Sequence, residues 1–491
     1  MKKYQSYPIA IEQIDPKGKG VGFYEGKKVL VPYAVPGQTV QAKLVKKRNK
    51  RYSAQLQQVL EPRPDEVTPF CEHFGQPPNE SGRGCGGCKW QMLPYAAQLA
   101  LKTDALRQEL SALPAELIEQ ATLVPIIASP QERNYRNKVE FSFGDKTYIS
   151  EERYRAFRAN KEPLPTGEYL GFHAPGSFGT VIDVNTCHLI SPALQQVYST
   201  VKALIPELGG GVYRTRHHTG YWRHLILREA VRTREIMVHL NTTDSHQPDW
   251  SVLTQALSVL ELPDGYRIRS VLHSEHTGVA QIVGCTPPTV LMGEAVIEEE
   301  ICGLRFEISP YAFFQTNTLA AEKLYNVVAD LAQVTPETVI YDLYSGTGTI
   351  GMILARAGAK AVYGLEDIET AVEDAKRNAE RNQIQNCHFK AGKVEQVLPE
   401  LYAQLPPDLM VVDPPRAGLH PNAVKMLLEN PVNQLIYVSC NPNALARDLE
   451  MLSPVYVPEI VQPVDLFPQT AHLETVVKLR LRKAGNDHVS A

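Results

Sequence analysis

Two apolar runs, Leu409-Met410-Val411-Val412 and Leu435-Ile436-Tyr437-Val438, each stop at a polar residue followed closely by proline. The first leads into Asp413-Pro414-Pro415-Arg416 and the second into Ser439-Cys440-Asn441-Pro442. Unbroken runs of this length read as strands buried on both faces, as in an open parallel sheet with helices between the strands. Ligands of such sheets bind beyond the carboxyl ends of the strands, so Asp413 and Cys440 are expected to share one crevice. Asn441-Pro442 has the form of a helix start, with Pro at the first helical position ahead of Ala444-Leu445-Ala446-Arg447-Asp448-Leu449. A thiol at a helix N-terminus ionises more readily, so Cys440 is expected to have a lowered pKa.

Further upstream, Thr338-Val339-Ile340-Tyr341-Asp342-Leu343-Tyr344 runs into Ser345-Gly346-Thr347-Gly348-Thr349-Ile350-Gly351, and a helical segment follows. Glycines at this turn let the backbone approach a ligand where a helix begins. Glu366 stands twenty positions beyond Gly346, after the run Ala361-Val362-Tyr363-Gly364-Leu365. A carboxylate there can accept hydrogen bonds from both ribose hydroxyls of an adenosine. The glycine pattern alone serves a dinucleotide or S-adenosylmethionine equally well. The acidic strand end at Asp342, the Asp413-Pro-Pro segment, and the lack of a second phosphate-binding turn favour the methyl donor.

Two further segments make the pattern specific: Phe313-Phe314-Gln315-Thr316-Asn317, and Phe467-Pro468-Gln469-Thr470-Ala471-His472-Leu473-Glu474-Thr475-Val476-Val477. With Asp413 and Cys440 in this order, the chain resembles the RNA 5-methyluridine methyltransferases over essentially its whole length. The resemblance implies Cys440 as nucleophile and Glu474 as base. It further implies Gln315, Tyr344, Gly346, Thr349, Glu366 and Asp413 as contacts to S-adenosylmethionine or the reaction site. Three departures stand out: Gln469 occupies a position that is often His, Ser345 replaces a frequent Cys, and the segment 391–395 offers no assignable adenine contact.

The implied chemistry explains the residue types. Uracil carbon 5 is a poor nucleophile, and thiolate addition at carbon 6 gives an enolate-like species whose carbon 5 attacks the sulfonium methyl. A base then removes the carbon 5 proton and the thiolate leaves. Adenine amino-group enzymes place an aromatic after Asp-Pro-Pro, where this chain has Arg416. RNA cytosine-5 enzymes carry another Cys after a Pro of that segment, where this chain again has Arg416.

Eight cysteines occur. The chain has no stretch resembling a signal peptide or long enough to span a membrane, so a cytoplasmic protein without structural disulfides or membrane partner is expected. Cys85-Gly86-Gly87-Cys88 is a C-x-x-C, with Cys71 upstream and Cys187 downstream. Spacing alone leaves a zinc ion, a 4Fe–4S cluster and a redox pair open. The family resemblance implies the 4Fe–4S cluster on Cys71, Cys85, Cys88 and Cys187, as in the branch that modifies 23S ribosomal RNA, with zinc as the alternative. The loop at 75–84 is longer than usual there. Cys285, Cys302 and Cys387 are expected to be buried small hydrophobes.

A net charge of −4 conceals an asymmetry, since residues 1–60 carry twelve Lys or Arg against three acids. Short alternating runs at 7–11, 20–24, 28–32 and 40–45 suggest a small β-barrel suited to phosphate contact and base stacking. The barrel resembles the TRAM domain of the family. The expected architecture is therefore an α/β chain in three parts: a TRAM/OB-like barrel at 1–62, a mixed α+β central domain with the cysteines at 63–310, and a Rossmann-like methyltransferase domain at 311–491. Basic and aromatic residues alternate around 134–143 and 221–228, consistent with one sheet face toward RNA. Residues 483–491 are expected to fray. The expected partner is 23S ribosomal RNA, with no obligate protein partner. The alternatives are the same chemistry on transfer RNA or another ribosomal uridine, and a non-catalytic iron–sulfur RNA-binding protein.

Overall fold

A computed structural model describes residues 2–48, 51–75, 84–149, 151–175, 177, 179–280 and 286–482. Cys285, most of the loop after Cys71 and the C-terminal residues 483–491 lie outside the described residues. The chain divides into two compact units: residues 1–98, 132–297 and 469–471 form one, and 99–131, 298–468 and 472–491 the other.

In the first unit the basic N-terminal segment forms a closed five-stranded barrel. Its strands are Ser6–Ile14, Gly20–Tyr24, Lys27–Val31, Thr39–Arg48 and Arg51–Glu61. Closure comes from Ser6–Ile14 pairing with Thr39–Arg48 and from Lys27–Val31 pairing in parallel with Arg51–Glu61. The last strand was not among those expected from sequence. Ile9, Ile11, Val29, Val31, Val40 and Leu44 fill the interior at alternate positions, which is why the basic side chains between them point outward.

A second element of this unit is a seven-stranded sheet with the long central strands Trp222–Ala230 and Glu235–Thr242. Helix Pro192–Leu208, capped by Ser191, packs its apolar stripe on one face, with Leu194, Val197 and Val201 against Leu225, Leu227 and Val238. The expectation of basic side chains open to RNA along 221–228 is corrected here. Arg223, His224 and Arg228 are all buried. Arg223 donates to the carbonyls of His276 and Gly278 at 2.6 Å, so this guanidinium closes a loop.

The second unit is an eight-stranded, mainly parallel sheet. Its order is Cys387–Ala391, Ala361–Glu366, Val339–Leu343, Leu409–Val412, Gln434–Ser439, Glu474–Leu481, Tyr456–Val464, Thr122–Leu123. The first five are parallel, and Glu474–Leu481 inserts antiparallel beside Gln434–Ser439. On one face Tyr341, Leu343, Met410, Val412, Leu435 and Tyr437 pack with Leu398, Leu427, Leu445 and Leu449 of the following helices. Helix Thr318–Ala332 covers the other face beside Gln434–Ser439 and Glu474–Leu481. Strand order reverses between Val339–Leu343 and Leu409–Val412, which opens a crevice at their carboxyl ends. Residues 99–131, placed by sequence with the central domain, pack in this unit because Thr122–Leu123 extends the sheet edge beside Tyr456–Val464.

Candidate active site

The crevice begins at the glycine turn. Val339–Leu343 ends at Tyr344, which takes a left-handed φ of 65°, a conformation costly for a residue with a Cβ. Gly348, at φ 79°, then opens helix Thr349–Arg356. The buried Asp342 accepts a hydrogen bond from the Gly351 N–H at 2.8 Å, and a Cβ on Gly351 would sit 2.9 Å from that same oxygen. Across the turn, Glu366 at the end of Ala361–Glu366 accepts from the N–H groups of Gly346 at 2.9 Å and Ile368 at 3.0 Å. Tyr344, Gly346, Thr349 and Glu366 thus meet at one turn. Gln315 lies in the loop before helix Thr318–Ala332, two residues from its cap Asn317. Asn317 donates to the Leu466 carbonyl at 2.8 Å, which ties that loop to the segment leading to Glu474.

Asp413 follows Leu409–Val412, and its N–H donates to the Leu343 carbonyl at 3.3 Å. Pro414 and Pro415 end the pairing, and the chain turns at Gly418, φ 81°. The buried Asp448 of helix Pro442–Leu452 holds this turn by accepting from the Leu419 N–H at 2.7 Å and the Tyr437 hydroxyl at 2.6 Å. That helix starts as expected, with Asn441 as its cap and Pro442 first.

Cys440 comes directly after Gln434–Ser439, where the register pairs Ser439 with Thr475. The next step of the same antiparallel pair sets Cys440 beside Glu474. Glu474 is buried, and its carboxyl pKa is pushed up to about 8 by burial and then by Asp413. Burial likewise lifts Asp413 to about 7. Asp342 rises to about 7 through burial, against the Gly351 N–H.

For Cys440 the expectation is overturned. Its pKa rises to about 11, from burial first and then from Glu474 and Asp413, with Arg416 pulling the other way. Loss of water around the sulfur and two facing carboxyls outweigh the helix N-terminus. Arg416 is therefore a site residue that sequence reading used only to exclude other enzymes. Its carbonyl accepts from the Asn441 side chain at 3.0 Å.

A buried ion pair supports the turn before Glu474. Lys102 donates to Asp465 at 2.6 Å and to the Phe467 carbonyl at 3.0 Å, and both side chains are wholly buried. Sequence gave no sign of it, since the partners are 363 residues apart. Lys102→Met is expected to cost about 3–5 kcal/mol by removing the counter-charge of the buried Asp465. Urea unfolding checks this, with Lys102→Met/Asp465→Leu expected to recover much of the loss.

In the other unit, three segments bring the four cysteines together. The Cys85 N–H donates to the His73 carbonyl at 3.0 Å, and the Cys71 N–H donates to Gln91 at 3.2 Å. The Asn185 N–H donates to His73 Nε2 at 3.0 Å, which brings in the loop of Cys187. All four thiols are free. The four act electrostatically on one another, and burial raises the pKa of each, led by desolvation. Among the described residues no three His, Cys, Asp or Glu side chains converge as they would on a single ion. Four free thiols on these segments are the donor set of a 4Fe–4S cluster and equally of a four-cysteine zinc site. Cys387 is buried as expected, but Cys302 is only part-buried. Gln469, at the departure from the family pattern, is buried, and its carbonyl accepts from the Lys89 N–H at 2.7 Å. No helix among the described residues is long and apolar enough to cross a membrane.

The reversed parallel order and the glycine turn define a Rossmann-like methyltransferase fold. Residues 402–482 match the family model of tRNA (uracil-5-)-methyltransferases. An uncharacterized RNA methyltransferase of Clostridium tetani is 36% identical over 487 residues, covering 98% of each chain. One from Bacteroides thetaiotaomicron is 34% identical, covering 95% of this chain and 99% of that protein. The crystal structure of the Pyrococcus abyssi tRNA (uracil-54, C5)-methyltransferase in complex with S-adenosyl-L-homocysteine matches with a TM-score of 0.73 and 27% identity, over 96% of this chain and 100% of that one. The chain belongs to the RNA uracil-5 methyltransferase family.

Proposed function

We propose that this enzyme transfers the methyl group of S-adenosylmethionine to carbon 5 of a uridine in 23S ribosomal RNA. The observation that carries the reading is the meeting of Cys440, Asp413 and Glu474 at the carboxyl ends of neighbouring strands, beside the Gly346–Glu366 turn. Glu366 would accept the ribose hydroxyls of the methyl donor, and Tyr344, Thr349 and Gln315 would line its path. Cys440 gives its thiol proton to solvent and adds as thiolate to uracil carbon 6, and the electron pair of the carbon 5–carbon 6 double bond moves toward the carbonyl oxygen at carbon 4. Carbon 5 then takes the methyl group, and the sulfonium becomes a neutral thioether. Glu474 in its carboxylate form takes the proton from carbon 5, the electron pair of that C–H bond restores the double bond, and the carbon–sulfur bond breaks with Cys440 leaving as thiolate. The Arg416 guanidinium beside Cys440 offsets the thiolate charge that the two carboxyls oppose. Access to the ring requires the uridine to leave its stack.

Cys71, Cys85, Cys88 and Cys187 would hold a 4Fe–4S cluster. When bound it would staple three loop segments without moving electrons, because methyl transfer is redox-neutral. The barrel and the four-cysteine set support a ribosomal substrate, and work in the cytoplasm follows from it. The test is transfer from labelled S-adenosylmethionine to unmodified 23S ribosomal RNA and, separately, to transfer RNA. 5-Methyluridine at a ribosomal position is the expected result. Label in transfer RNA alone would keep the chemistry and discard the ribosomal target, in line with the transfer-RNA names of the family model and the Pyrococcus abyssi enzyme. Label in neither would favour a non-catalytic RNA-binding role.

A further inference from the structure

Tyr33 follows the barrel strand Lys27–Val31 and holds a left-handed φ of 62°. Its side chain is 94% buried, being 6% exposed. Its ring lies between the two segments that bring in three of the cysteines. One edge meets Phe74 at 5.8 Å in a T-shaped contact, and the Phe74 N–H donates to the Cys71 carbonyl at 3.0 Å. Over the ring, 5.5 Å from its centre, stands the ammonium group of Lys89, the residue after Cys88. Cys85 and Cys88 act electrostatically on the phenol. Its hydroxyl oxygen is buried and has no hydrogen-bond partner among the described residues.

An unpaired buried hydroxyl keeps its full desolvation cost, so such groups are rare unless something outside the polypeptide satisfies them. The fold keeps this one where Phe at the same place would avoid the cost. A cation over the ring face draws electron density from it and makes the O–H a better donor.

We propose that Tyr33 is a hydrogen-bond donor to a sulfur of the cluster held by Cys71, Cys85, Cys88 and Cys187, on its Cys85–Cys88 side, and so sets the cluster's potential and persistence. The inference rests on the cluster reading above. Hydrogen bonds to cluster sulfurs stabilise the added electron and raise the reduction potential. Tyr33 is a positioning and tuning residue; it ligates no iron and touches no substrate.

The experiment compares the full-length protein with Tyr33→Phe, both purified without oxygen. Iron and sulfide content, midpoint potential, and the rate of bleaching by a ferrous chelator are measured. The expected result is equal loading, a more negative midpoint for Tyr33→Phe, and severalfold faster bleaching. Resonance Raman of the parent in deuterated water should show an iron–sulfur band shift that Tyr33→Phe lacks. Equal potential, bleaching and band shift in the two proteins would overturn the inference while leaving the cluster in place. A parent without iron or sulfide, even after reconstitution with ferrous iron and sulfide, would overturn the cluster reading itself. A folded Tyr33→Phe that cannot be reconstituted would also overturn the inference, because losing a donor should leave ligation intact.

Discussion

Cys440→Ala is expected to abolish methyl transfer while RNA binding survives. Without addition at carbon 6, carbon 5 keeps the weak nucleophilicity of an ordinary uracil, and no other group in the crevice can replace the sulfur. Asp413 and Glu474 are carboxyls, weak nucleophiles toward carbon 6, and raised pKa values of about 7 and about 8 leave only part of each ionised near neutrality. Methyl incorporation is the direct check, joined by a gel assay for the covalent adduct with 5-fluorouridine RNA. The parent should form that adduct and the variant should not. Normal turnover by Cys440→Ala would remove the residue from the mechanism. The raised thiol pKa of about 11 adds a second expectation. Adduct formation in the parent should accelerate with pH across the neutral range, since the thiolate fraction grows tenfold per unit below the pKa.

Glu474→Gln is expected to stop the reaction one step later. The thiolate can still add and carbon 5 can still take the methyl group, but the proton on carbon 5 has no base. Turnover should fall by roughly 10²–10⁴-fold, and methylated RNA should accumulate in covalent linkage to the protein. Product release at the parental rate would refute the role of Glu474. The same variant carries a stability signature. Unfolded, this carboxyl ionises near its ordinary value of 4.5; folded, it does so near about 8. Between those values the folded protein retains a proton that the unfolded chain has released. Its contribution to stability is therefore fully present below about pH 4.5 and declines as pH rises toward 8. The loss is on the order of a few kcal/mol. Glu474→Gln removes that loss, so it should unfold at higher urea than the parent near pH 8. At pH 4.5 the two midpoints should nearly coincide. A parent that is equally stable relative to the variant at both values would mean that Glu474 is not held in its acid form.

The parallel sheet and its glycine turn were legible because their signals are local. An unbroken apolar run, a polar strand end, a glycine or proline turn and a helix cap all lie within about twenty residues of one another. Asp413, Cys440 and Glu366 could be placed in one crevice on that basis, since the carboxyl ends of parallel strands share one edge of the sheet. Resemblance to a family supplied Glu474 and the four cysteines. The expected helix start at Asn441-Pro442 was found, yet the acidity inferred from it had the wrong sign. Helix termini act over one turn, and burial with two facing carboxyls acts more strongly. The basic strand at 222–230 failed for a related reason, because side-chain type does not say whether a sheet face will be covered.

The order of residues by itself determined the α/β class, the barrel of short alternating strands, and the turn chemistry that opens each ligand-facing helix. Those follow from steric preferences and hydrophobic period, which near neighbours set. Only the tertiary structure decided that Glu474 stands beside Cys440, that Lys102 is buried against Asp465, and that an unsatisfied Tyr33 hydroxyl lies among the cysteine loops. Each depends on which distant segments exclude water from one another. Exclusion of water sets the pKa of a carboxyl, the strength of an ion pair and the cost of a lone hydroxyl, and it exists only once the chain has packed.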